Sequence, residues 1–454
     1  MRTRILPFAL LLAACSTDDP AQSDDDDGAD TSSSDDGTAQ RVRFHEDVAP
    51  ILAASCNGCH QEGGVAPFAL DSYDAAVQWS GSIVAAIESR TMPPFNVDNS
   101  GACNTYRDAR WLDDESIATI TDWVSEGLER GDAALGMPQP PAPRTLDGDD
   151  IVVVGTPENY QPINEAQPAA PADDYQCFLV DPQTDDTSFL VGYDVVPGNA
   201  AIVHHVLAFD VDPERAGMGG KNGELMAALD AQSPDQPGWD CFNAAGDGVW
   251  VEGVPVTWAP GAGATKFPEG TGIRIAPGHK LVVQMHYHLT EQASPDTTEI
   301  QLAFADEVER EAHSALMDGF LMTLIGSPAE LPAGKADASF EWSIALKDIP
   351  GLGVDFEHAD MFGVLPHMHQ RGRKMTVDFV REDGEVCGAR VDNWDYDWQQ
   401  AFYYDAPIPV EMTDEIAVRC EWDTRADSEP VLPGLGTDAE MCLVGVYLVE
   451  RAPA

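Results

Sequence analysis

The chain has 454 residues, room for roughly three domains of about 150 residues with hydrophobic cores of their own. Asp and Glu outnumber Lys and Arg 78 to 25, a formal net charge of -53. That balance excludes nucleic acid as a partner, because phosphate binding needs clustered Lys and Arg, and by itself it names no other partner.

In chain order, Met1-Arg-Thr-Arg4 is basic, Ile5 to Ala14 is apolar, and Leu12-Ala13-Ala14-Cys15 closes the run. These are the regions of an export signal. Small residues running into a cysteine resemble the lipobox of bacterial lipoproteins. The resemblance implies a signal peptide over 1–14 and diacylation of Cys15, with the mature chain lipid-anchored to a membrane rather than spanning it. An ordinary cleaved signal with an incidental cysteine is the competing reading. No other stretch approaches the ~20 apolar residues of a membrane span. Ser16, not Asp, follows Cys15, which favours the outer membrane within the cell envelope. The segment 15–40 carries nine Asp, no Lys or Arg, and many Ser and Gly. It cannot bury a core and is expected to be a solvated tether.

Residues 41–132 read as a small all-α domain. Phe44 to Ser55 leads into Cys56-Asn57-Gly58-Cys59-His60. Ser72 to Ser89 places Ala76, Val77, Ile83, Val84 and Ile87 on one helical face. Asp113-Asp114-Glu115 put acids at the positive end of a third helix, whose stripe of Ile117, Ile120, Trp123, Val124 and Leu128 is closed by Gly131. In an exported chain, Cys-x-x-Cys-His is the signature of covalent haem c: two thiols add to the vinyl groups and His60 lies beneath the iron. Met92, in Arg90-Thr-Met-Pro-Pro94, is the expected sixth ligand, which favours electron transfer over oxygen binding. The competing readings are a disulfide or zinc half-site for the cysteines and a core role for Met92. The whole segment resembles class I cytochromes c.

Residues 133–149 hold four prolines and an acidic cluster, as a linker does. From 150 onward, short Val-, Ile-, Phe- and Tyr-rich runs alternate with Gly, Pro and Asp turns, the texture of antiparallel sandwiches. The span is long for one, so two are expected, over 150–305 and 306–454. His204-His205 lie in Ala201-Ile-Val-His-His-Val-Leu207. Neighbours on a regular strand point to opposite faces, so both can reach one metal only where the strand ends or distorts. Alone, the pair reads equally as one core and one surface histidine. His367 and His369, at i and i+2, share a face and suit chelation by two imidazoles. His286 and His288 have the same spacing. Past the haem motif six cysteines remain, Cys103, Cys177, Cys241, Cys387, Cys420 and Cys442, an even set suited to disulfides in an oxidising compartment.

Seven landmarks then fall in one order: His204-His205, Pro268-x-Gly270, Gln284-Met-His-Tyr287, Pro366-His-Met-His369, Gln400-Ala-Phe-Tyr403, Ala417-Val-Arg-Cys420 and Asp438-Ala-Glu-Met-Cys442. Over 175–450 the chain thereby resembles the copper type II, ascorbate-dependent monooxygenases, which include the peptidylglycine and dopamine β-monooxygenases. The resemblance implies two jelly-roll-like sandwiches, each with one copper. His204, His205 and His286 match the ligands of an electron-storing copper. His367, His369 and Met441 match those of the copper that binds dioxygen. Cys420 and Cys442 match a family disulfide, and Cys177 and Cys241 look like another. Cys103 and Cys387 are left to pair with each other or stay free. The implied reaction is hydroxylation of a substrate C–H bond.

The chain departs from the peptide-oxidising members where they grip a substrate carboxylate. Here those positions hold Leu365, Leu443 and Gly445, which offer no donors for a carboxylate. A small neutral or aromatic substrate is expected instead. The second departure is the helical domain, which offers an electron inlet through haem c. The donor is expected to be ascorbate or a redox protein. The alternative is a non-catalytic haem c and copper lipoprotein that carries electrons or docks a partner.

Overall fold

The structure, a computed structural model, describes residues 41–451 apart from 63–65, 143, 147–150, 158–159, 164–172, 185, 242–244, 259, 261–262, 290–293, 320–329, 350–351 and 435–438. The signal, Cys15 and the acidic tether lie outside the described residues. Those from 41 onward form one compact unit. Among the described residues no helix is long and apolar enough to cross a membrane.

A single π-type turn, Phe44–Val48, runs into helix α1 (Ala49–Ser55). Helix α2 (Tyr73–Glu88) starts where the Ser72 hydroxyl accepts a hydrogen bond from the Ala75 amide. Helix α3 (Asp114–Ser125) starts where the Asp113 carboxylate accepts from the Ser116 amide. Such caps satisfy backbone donors that the first turn leaves open. The apolar stripe predicts helix as far as Leu128, but α3 stops at Ser125. Gly127 and Leu128 adopt φ of +108° and +62°, which no right-handed helix accommodates, and the Tyr73 hydroxyl donates to the freed Leu128 carbonyl. Phe44, Leu52, Ile83, Ile87, Ile120 and Trp123 pack together between these elements.

The rest is almost wholly strand: β1 (Ile151–Gly155), β2 (Asp173–Val180), β3 (Ser188–Val196), β4 (Val203–Val211), β5 (Ala216–Gly217), β6 (Gly220–Lys221), helix α4 (Asn222–Asp230), β7 (Trp239–Asp240), β8 (Gly253–Trp258), β9 (Thr265–Lys266) and β10 (Thr271–Ile275). There follow β11 (Lys280–His288), β12 (Glu299–Ala305), β13 (Arg310–Asp318), β14 (Ala338–Ala345), β15 (His358–His367), β16 (Gly372–Arg381), β17 (Gly384–Val391), β18 (Phe402–Glu411), β19 (Glu415–Trp422) and β20 (Leu443–Glu450). Strands of period two, such as β19 with Ile416, Val418, Cys420 and Trp422 all buried, turn one face to a core.

Two sandwiches form, as the length of the span predicts, but they share a sheet. One long sheet runs β1-β12-β3-β10-β13-β20-β15-β18. Its join is a short parallel pairing of β10 with β13. A five-stranded sheet, β7-β2-β11-β4-β8, packs on the first half, and a four-stranded sheet, β14-β19-β16-β17, on the second. Phe362 of β15 and Tyr447 of β20 cross the join and pack in the first core. The two halves are therefore not separate beads on a linker.

The stretch between α2 and α3 also differs from its expected place in the helical domain. Phe95, Val97 and Tyr106 are buried in the core of the second sandwich. Isolated bridges pair Val97 with Val391 and Tyr106 with Tyr404. Cys103 pairs with Cys387, and the Asn104 side chain donates to the carbonyls of Cys387 and Gly388. The helical domain is thus stapled to the second sandwich through its own middle.

Candidate metal centres

The first centre is built on the neighbouring strands β4 and β11. His286 lies opposite His205, but the next residue, Tyr287, lies opposite Val203. His204 is the extra residue of a β-bulge. A bulge re-aims the side chain of the residue it inserts, which resolves how two adjacent histidines face one point. The three Nδ1 atoms form a triangle: 3.2 Å from His204 to His205, 3.1 Å from His204 to His286 and 3.1 Å from His286 to His205. A ring nitrogen either carries a proton or accepts one, so in a closed triangle at most two of the three pairs can be hydrogen bonds. Three converging lone pairs instead suit one cation that accepts imidazole, copper among them. The Nε2 of His204 lies 3.3 Å from the Asp397 carboxylate, which fixes that edge as the N–H and leaves Nδ1 as the unprotonated nitrogen. Tyr175, directly across β2 from His286, stacks on its ring at 4.1 Å and 9°.

The second centre lies at the end of β15. His367 pairs in register with Leu443 of β20, and His369, two residues on, meets Ala439 and Glu440, the two residues before Met441. The His367 and His369 rings are 5.1 Å apart and nearly perpendicular. The Nδ1 of His367 meets the Gln399 side-chain carbonyl, and that of His369 meets the Ala439 carbonyl at 3.2 Å. Both oxygens only accept, so both Nδ1 atoms are the protonated ones and Nε2 is the atom each ring would present to a metal. Burial pushes the His367 pKa down to about 4, with the Gln399 contact opposing it, which keeps the ring neutral at physiological pH. His369 and Met441 are buried too.

Glu440 organises this turn. Its fully buried carboxylate accepts from the amides of His369 and Arg371 and from the Trp422 indole. Burial pushes its pKa up to about 7, against the pull of those donors. Cys442, next to Met441, is bonded to Cys420 of β19. Cys177 and Cys241 pair likewise, tying β2 to the end of β7.

Cys56 and Cys59 are the free cysteines among the described residues. They follow the end of α1, with the His60 amide donating to the Cys56 carbonyl. Burial, then the nearby Cys59, push the Cys56 thiol up to about 12. His60 Nδ1 lies 3.0 Å from the Phe68 carbonyl, which turns Nε2 away as the available lone pair. Met92 is 36 % exposed. The side chain of His288 is outside the described residues.

Four residues around the copper candidates carried no expectation. Asp397, Gln399, Tyr175 and Tyr396 have no periodicity or spacing that marks them. Asp397, Gln399 and Tyr396 sit together in one turn, Asp395–Gln399, and only the fold brings that turn against both histidine sets.

Residues 329–452 match the model of the C-terminal domain of the copper type II ascorbate-dependent monooxygenases. The chain is 24 % identical over 280 residues to dopamine beta-hydroxylase of Canis lupus familiaris, covering 59 % of this chain and 42 % of that protein. It is 23 % identical over 282 residues to the Homo sapiens dopamine beta-hydroxylase, covering 60 % and 43 %. With tyramine beta-hydroxylase of Caenorhabditis briggsae it shares 24 % over 263 residues, covering 56 % and 40 %. The chain thus spans less than half the length of these relatives.

Proposed function

We propose that this chain is a copper-dependent monooxygenase that uses dioxygen to hydroxylate a C–H bond of a small, uncharged substrate. The observation that carries the reading is the convergence of His204, His205 and His286 together with the neighbouring, oriented rings of His367 and His369, the latter within the segment that matches the family model. Copper bound at these two sites supplies electron storage at one and dioxygen activation at the other. The protein supplies the rest. Asp397, Gln399 and the Ala439 carbonyl hold the rings of His204, His367 and His369 in one tautomer. The soft Met441 thioether favours Cu(I), the state that meets dioxygen.

A cleft at the join of the two sandwiches suits the substrate. Val254, Thr257, Ile273, Leu365, Tyr403 and Gly445 are among its lining residues, and none of the lining side chains is charged at neutral pH. Leu365 shares a strand face with His367, two residues on. Gly445 keeps the floor open: a Cβ there would come within 2.9 Å of Leu365 and 2.8 Å of Leu316. A carboxylate would be buried there without a partner, at a cost of several kcal/mol, so neutral aliphatic or aromatic substrates fit better.

The reading assigns haem c to Cys56, Cys59 and His60, with Met92 as sixth ligand. Two unpaired thiols beside a histidine whose Nε2 is free support it, as does an exposed thioether that a haem face would cover. Electrons then enter through the haem from a redox protein, or directly from ascorbate. Lipid attachment at Cys15 would hold the enzyme at the cell envelope.

The test is oxygen-18 labelling. Copper-loaded protein, ascorbate and a panel of small neutral and carboxylated C–H compounds are incubated under ¹⁸O₂. One labelled atom in an alcohol product, lost on copper removal and favouring neutral compounds, is expected. Oxygen uptake that yields only peroxide or water across the panel contradicts the reading.

A further inference from the structure

We propose that Tyr175 and Tyr396 form the electron path between the two copper sites. The inference rests on the monooxygenase reading above and adds a route to it. Hydroxylation consumes dioxygen, one C–H bond, two electrons and two protons, and returns an alcohol and water. Each copper stores one electron. The electron held at His204, His205 and His286 must therefore cross to the site of His367, His369 and Met441, so that the first copper goes from Cu(I) to Cu(II) and the second gains the electron.

The two tyrosines bridge the distance. Tyr175 lies flat on His286, ring to ring at 4.1 Å. Its hydroxyl is 2.9 Å from that of Tyr396, a direct hydrogen bond between the two sandwiches. The Tyr396 ring then stands edge-on to His369 at 6.1 Å. Ligand, ring, hydrogen bond, ring and ligand follow without a solvent gap. No proton need leave either phenol, because one electron enters the path and one leaves.

The turn that carries Tyr396 is held in place from three sides. Asn96 donates to the carbonyls of Asp395 and Trp398. Asp397 reaches His204, and Gln399 reaches His367. This fixes the phenol opposite Tyr175 rather than leaving it on a free loop. Trp398, in the same turn, lies under the Arg110 guanidinium, from the stretch between α2 and α3, at 6.0 Å.

Tyr175→Phe and Tyr396→Phe each remove one hydroxyl and keep both rings. Fully reduced, copper-loaded protein is mixed with dioxygen and a turnover substrate, frozen at intervals, and its Cu(II) counted by electron paramagnetic resonance. In the parent protein both coppers should reoxidise together. In either variant one copper per chain should lag several-fold behind the other. The double variant should be no slower than the single ones, because all three lose the same bond. Copper content and the Cu(II) spectrum of the resting protein should be unchanged throughout. Synchronous reoxidation at the parent rate in both variants overturns the path. So does a lag that appears only with lost copper or an altered spectrum, since that marks a structural role. A parent protein that binds fewer than two coppers overturns the monooxygenase reading itself, and is seen before any variant is compared.

Discussion

Gln399 binds no metal in this account, yet it decides what His367 can offer. Its carbonyl holds the Nδ1 proton and leaves Nε2 as the donor. Gln399→Ala should weaken copper at the His367 and His369 site by about ten- to hundredfold, with the three-histidine site unchanged. Stepwise copper titration under anaerobic conditions reads both affinities. Equal weakening at both sites would mean that the turn, not the tautomer, had been damaged. At this scale the sequence was most legible at His204, His205 and His286, three histidines far apart in the chain whose ring nitrogens converge in the fold. It was least legible at Asp397, Gln399 and Tyr396, which become part of the site only because a turn far beyond His204 in the chain folds over it. At His204-His205 the residues demanded a distorted strand, and the bulge that supplies it is visible only in the pairing with β11.

Between elements, the ladder of β4 with β11 carries the first centre at one end and a polar clamp at the other. His279, one residue before β11, meets the buried Asp210 of β4 at 2.9 Å. That hydrogen bond, and then the carboxylate charges around it, raise the His279 pKa against the effect of burial. The folded state thus favours the imidazolium. Its stabilisation is complete below the ordinary imidazole range near 6.5 and is lost as pH rises through the raised folded value. His279→Gln should cost about 1.5–3 kcal/mol of stability at pH 6 and clearly less at pH 9. Urea unfolding at the two pH values measures the difference, and an equal cost at both would remove the charge from the explanation. Helix starts were readable in the same way as this clamp was not: Ser72 and Asp113 cap α2 and α3 at the marked positions. The end of α3 was not readable, because an apolar Leu128 continues the stripe while its backbone has already left the helix.

Across the whole molecule, the pattern of strands and turns gave two sandwiches, but nothing in one sequence marks a sheet that continues from one to the other. That continuity depends on a three-residue parallel pairing of β10 with β13, too short to leave a signature. Its consequence is rigidity between the two histidine sets, which sit on different sandwiches of one body. The Cys103–Cys387 bond and the burial of Phe95, Val97 and Tyr106 add the helical domain to the same body. If the proposed haem is carried there, it would be a fixed part of the same body rather than a partner that must dock.

The central claim is that two coppers bind, one of them through Met441. X-ray absorption at the copper edge, on anaerobically reduced and metal-quantified protein, tests it most directly. The account predicts two coppers per chain and a sulfur scatterer that disappears in Met441→Ala, while the nitrogen shell of the three-histidine site and the haem absorption band persist. Fewer than two coppers per chain, or a copper–sulfur signal that survives the loss of Met441, would contradict it.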